Sequence, residues 1–222
     1  MSSEKHIRIL SLGSVSADAQ ERYLRWFTVL QGLDVPWGMH GVERKMVKTS
    51  LSGNVSISYK RSNGVKTLGV DFYQGRPDTD DRMGVNFNAD KISESLSYVW
   101  DVVIPAYIDA MQPYKLSVED VDLLVQKDSL LKEMPYEKKM AFRNAIKSDR
   151  DQLRDIWQVN YWADQQCLNY FGVPAKIVVA RLSGHVAKAI LLGGGAYVIY
   201  SYEIMSPQEV AEIELVIRKL LN

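Results

Sequence analysis

The chain has 222 residues, with 27 Lys or Arg balanced by 27 Asp or Glu, so its formal charge is zero. Surfaces that hold nucleic acid or an anionic membrane carry a basic excess or a polybasic segment, and neither is present, so neither is expected as a partner. A composition of 46% hydrophobic and 24% charged residues excludes a disordered chain. A chain of this length can bury about 70% of its unfolded surface without disulfides or metals.

His6 to Leu12 places aliphatic residues at alternate positions and ends at Gly13, which predicts a strand and a turn. Ser16 then caps an expected helix over 17–32, on which Tyr23, Leu24, Phe27 and Leu30 follow the helical period. Residues 34–50, with Pro36, Trp37, Gly38 and Gly41, read as a loop that could hide a short element over 42–47. Val55, Ile57 and Tyr59 alternate with Ser56, Ser58 and Lys60, Asn63-Gly64 turns, and residues 65–73 return. Asn-Gly between such runs favours a type I′ hairpin, because both residues tolerate positive φ. A polar loop over 74–82 and a strand over 83–88 complete three antiparallel neighbours.

Residues 92–111 form a long apolar helix interrupted by Pro105, where a kink or restart is expected. Ser117 is placed to cap a short helix to Gln126, although 118–125 also fits a strand. Residues 135–155 are charged and helical in pattern, with Met140, Phe142, Ile146 and Leu153 as thin apolar content, which suits a peripheral helix. A strand is expected over 156–162, a helix over 163–171 stopped by Gly172, and a helix opened by Pro174 and running to Leu182. Two strands, 186–192 and 196–203, flank Gly193-Gly194-Gly195. Ser206-Pro207-Gln208-Glu209 is a capping box that starts a helix burying Val210, Ile213, Val216, Ile217, Leu220 and Leu221. Helices do not alternate strictly with strands, and there is no repeat or linker. The expected fold is α+β, a mainly antiparallel sheet with helices packed on it, in one domain over 1–222.

Chemical motifs are incomplete. Gly193-Gly194-Gly195 is followed by a strand, whereas a phosphate loop needs a helix N-terminus there, so a hairpin turn accounts for it. Asp78-Thr79-Asp80-Asp81 begins like a calcium loop, but the glycine and glutamate such a loop needs are Met83 and Ala89. Pro77-Asp78 and Glu137-Lys138-Lys139 resemble parts of a nuclease metal site, yet the second falls on a helix rather than a strand. His6, His40 and His185 are scattered, and Cys167 has no second thiol and reads as a small buried helix residue. No catalytic residue, cofactor or metal is assigned. The opening Met1 to Ile7 lacks the apolar stretch of a secretory signal, and no run of 18 apolar residues occurs, so a cytoplasmic protein is expected.

Asn160-Tyr161-Trp162, Phe171-Gly172 and Gly193-Gly194-Gly195-Ala196-Tyr197-Val198-Ile199-Tyr200 have a layout that resembles bacterial immunity proteins acting against type VI-secreted and other polymorphic toxins. The resemblance is best over 156–222 and extends more loosely over 50–112, through the hairpin and the Trp100-Asp101 helix. It implies a non-catalytic protein that binds one cognate protein toxin, one to one, and occludes its active site. An acidic loop with aromatic anchors could occupy the basic cleft of a nucleic-acid-directed toxin. The expected contact residues are Tyr73, Arg76, Asp78, Asp80 and Asp81, and then Glu133, Tyr136 and Glu137. The alternatives are a small hydrolase or transferase with a site assembled from distant residues, or a non-catalytic adaptor.

Overall fold

Residues 5–14, 18–45, 53–75, 79–137, 153 and 155–221, which the computed structural model describes, form an α+β fold of antiparallel strands with helices packed on them. The chain divides into two units, Met1–Val118 and Glu119–Asn222.

In the first unit, strand β1 (His6–Ser14) buries Ile7, Ile9 and Leu12. Helix α1 (Ala19–Leu30) buries Ala19, Tyr23, Trp26, Phe27 and Leu30, the stripe that a 3.6-residue period lays on one face. Its cap is Asp18, whose Oδ1 accepts from Gln20 N (2.8 Å) and Glu21 N (3.1 Å). This moves the start two residues past the expected one; Ser16 lies outside the described residues. β2 (Val55–Lys60) and β3 (Val65–Phe72) form the expected hairpin. Asn63 at φ 52° and Gly64 at φ 83° make its turn, which Val65 N closes by donating to Ser62 O at 3.1 Å. β4 (Asp80–Asn88) pairs antiparallel with both β3 and β1.

The region expected to be loop after Leu33 contributes to the core, with Trp37 and Met39 fully buried. Tyr107 Oη donates to Trp37 O at 2.7 Å, and the Trp37 ring meets Phe87 edge-on at 5.2 Å. α2 (Leu96–Tyr98), capped by Ser95, runs through a wide π turn over Val99–Val103 into α3 (Ile104–Met111). Ile104 N donates to Val99 O, five residues back. Pro105 has no N–H to give and its ring crowds the carbonyl four residues earlier; one extra residue in the turn ahead of it absorbs both defects. β5 (Lys115–Asp120) lies beside β1, giving the order β2-β3-β4-β1-β5.

In the second unit, α4 (Val121–Glu133) is capped by Asp120, which accepts from Asp122 N (2.8 Å) and Leu123 N (3.0 Å). The ambiguous stretch after Ser117 is therefore strand first and helix from residue 121. The charged helix expected over 135–155 falls almost entirely outside the described residues. β6 (Val159–Ala163) is followed by α5 (Asp164–Phe171), ended by Gly172 at φ 67°. α6 (Ala175–Leu182) is tied to α5 by Ala175 N donating to Asp164 Oδ1 at 2.7 Å. β7 (Lys188–Leu192) and β8 (Gly195–Ile199) form a hairpin through Gly193 and Gly194, at φ 53° and 78°, so the glycine run is a turn. The order is β6-β8-β7.

α7 (Pro207–Leu221) starts on the expected capping box: Ser206 N donates to Glu209 Oε2 (2.7 Å) and Glu209 N to Ser206 Oγ (3.3 Å). Val210, Ile217 and Leu221 are buried, and Ile213 and Leu220 are half-buried against Trp162, Val178, Leu182 and Val198. Val216, expected in this core, is 49% exposed beside Leu215 at 71%. The apolar run at 215–217 exceeds the arc that the helix turns inward. Among the described residues, no helix is long and apolar enough to cross a membrane.

Candidate partner-binding surfaces

The first expected surface, around Tyr73 to Asp81, has a different internal construction from the one its sequence suggested. β1 continues to Ser14, which extends the ladder to Gly13↔Asp81 and Ser14↔Asp80, so both acids stand on β4 and not in a free loop. Asp81 is buried. Arg22 Nε lies 2.6 Å from Asp81 Oδ2, Arg22 Nη2 donates to Tyr73 O at 2.7 Å, and Tyr73 N donates to Asp81 Oδ1 at 2.9 Å. The Arg22 guanidinium also stands 5.7 Å over the Phe72 ring. Burial raises the Asp81 carboxyl above its ordinary range, against the opposing pull of the Tyr73 N–H and the Arg22 charge.

These contacts close the neck between β3 and β4. Gln74 adds to it: its N donates to Asn54 Oδ1 at 2.9 Å, and its Oε1 accepts from Ala19 N at 2.8 Å. Asp81 is thus a positioning residue for this neck, and a carboxylate enclosed by Arg22 has little left to offer a partner. Tyr73 and Asp80 are half-buried at the two ends of the connection. Arg76 and Asp78 lie outside the described residues. Arg22 was not singled out from the sequence, although a cation at position 22 falls on the same helical stripe as Ala19, Tyr23 and Trp26.

The second expected surface is open. Glu133, Met134, Pro135, Tyr136 and Glu137 are all exposed at and beyond the end of α4, and Tyr136 is 75% exposed. All five tryptophans are buried, and Tyr136 is the one aromatic residue of the exposed class among the described residues. Glu133 and Glu137 flank the ring on both sides in sequence. The two surfaces belong to different units.

Other titratable groups are scattered. Cys167 is fully buried, its Sγ faces Trp162 O at 3.5 Å, and burial pushes its thiol up to about 12. His40 is exposed and 3.3 Å from Asp34, and His6 Nδ1 is 3.2 Å from Lys66 Nζ. Among the described residues, no three His, Cys, Asp or Glu side chains gather as a metal site. The sequence matches no family model and no curated protein.

Proposed function

We propose that the chain is an immunity-type binding protein that neutralises one secreted bacterial toxin in the cytoplasm, by covering its active site in a one-to-one complex. The observation that supports this reading is Tyr136, an exposed ring that two exposed glutamates flank in sequence, while every tryptophan is buried. Tyrosine is among the residues that dominate interface energies when a partner desolvates them, typically by about 2 kcal/mol or more on truncation. Flanking carboxylates steer such a surface toward a basic cleft and suppress wrong partners.

Co-expression tests the reading. If a neighbouring gene encodes a toxin, the chain produced together with it is expected to restore growth, and the Tyr136→Ala variant to restore it poorly. Growth arrest that persists at matched expression of the two proteins contradicts the proposal.

A further inference from the structure

α7 turns one apolar stripe into the second unit and leaves a second apolar pair in solvent. Leu215 is 71% exposed and Val216 49%; among the exposed large hydrophobic side chains of the described residues, only Tyr136 is more open than Leu215. Both lie off the stripe of Val210, Ile217 and Leu221, so turning them inward would withdraw those three from the core. Gln208, Glu212, Leu215 and Lys219 recur at steps of four, three and four, which lays them along one line of the helix. All four are exposed, and so are Ala211 and Val216 beside that line.

Charge is placed asymmetrically along it. Glu212 precedes the apolar pair and Lys219 follows it, about 10 Å further along the axis and outside the range of an i,i+4 pair. Glu212 Oε1 accepts from Gln208 Nε2 at 3.0 Å, and neither Glu212 nor Lys219 enters an ion pair within the chain. Glu214 and Arg218, on the flank, are already paired with each other at 2.6 Å. A line that runs acid, apolar, base is complementary to its own reverse.

We propose that α7 docks against α7 of a second copy of the chain, antiparallel about a two-fold axis that passes between Leu215 and Val216. Leu215 then packs on Val216 of the second copy, and Glu212 stands opposite Lys219 of the second copy, each contact occurring twice by symmetry. Parallel helices would oppose like charges at both positions, which disfavours that arrangement. One pair of 15-residue helices buries less than the roughly 1,200 Å² of a stable interface, so the dimer is weak, with Kd on the order of 0.1–1 mM. The pairing stands apart from the toxin reading and uses none of its residues.

Sedimentation equilibrium of the full chain alone, from about 10 µM to about 1 mM at low ionic strength, tests it. The average mass is expected to rise from monomer toward dimer. Leu215→Ser, at an exposed position, should weaken association by about fivefold or more at unchanged thermal midpoint. Glu212→Lys and Lys219→Glu should each weaken it by about threefold or more, because each sets two like-charged pairs across the axis. Glu212→Lys combined with Lys219→Glu should return the constant to that of wild type, since the order is reversed and the pairing kept. A chain that stays monomeric over the whole range, association unchanged by Leu215→Ser, or a double variant weaker than both single ones overturns the assignment.

Discussion

Arg22 on α1 and Asp81 on β4 form a buried ion pair, 2.6 Å from Nε to Oδ2, with side chains 6% and 3% exposed. Removing one partner of such a pair leaves an uncompensated charge inside the fold, at a cost of about 3–5 kcal/mol. Asp81→Ala is therefore expected to lower unfolding stability by that order in urea titrations, and Asp80→Ala to change it by no more than about 0.5 kcal/mol. Equal effects of the two substitutions would contradict the assignment of Asp81 to the frame of the surface.

Replacing both partners with apolar residues separates desolvation from pairing. Arg22→Met combined with Asp81→Leu is expected to recover most of the stability lost in Asp81→Ala, because neither charge is then left alone. A double variant less stable than Asp81→Ala would show that the bonds from Arg22 to Tyr73 O and from Tyr73 N to Asp81 outweigh the charge pair.

The capping box at α7 predicts a smaller effect. Ser206→Ala removes the acceptor for Glu209 N and should cost about 1 kcal/mol, since a lost N-cap leaves one helix donor without its partner. Glu209→Gln, which keeps a side-chain acceptor for Ser206 N, should cost less. Thermal melts of the two variants order them.

Alkaline pH should weaken the second unit. Burial pushes the Cys167 thiol and the Tyr161 hydroxyl up to about 12, from ordinary values of 9.0 and 10.0. The unfolded chain loses these protons first, so their contribution is complete below about pH 8 and declines as pH rises from 9 toward 12. Wild type should lose stability over that window more steeply than a variant carrying Cys167→Ala and Tyr161→Phe. Parallel curves would contradict the burial argument.

What could be read from the sequence was governed by short-range rules. Asn63-Gly64 and the 206–209 capping box formed as expected because each is decided within four residues. The features that were misplaced or left open depend on distant partners. Asp80 and Asp81 join β4 because β1, some 70 residues earlier, extends far enough to pair with them. Trp37 is buried because Phe87 and Tyr107 receive it. The exposure of Glu133 to Glu137 was legible because charge flanks the ring on both sides. The burial of Asp81 was not, since nothing near it in sequence names Arg22.

The central claim is that Tyr136 and its flanking glutamates are the surface by which the chain covers a toxin. Titration calorimetry of a purified candidate toxin, one that the chain rescues in co-expression, with wild type and with Tyr136→Ala, tests it most directly. The account predicts one-to-one binding that the substitution weakens by about 30-fold, or 2 kcal/mol, at unchanged stability of the free chain. A toxin bound equally well by both, or bound by neither, would contradict it.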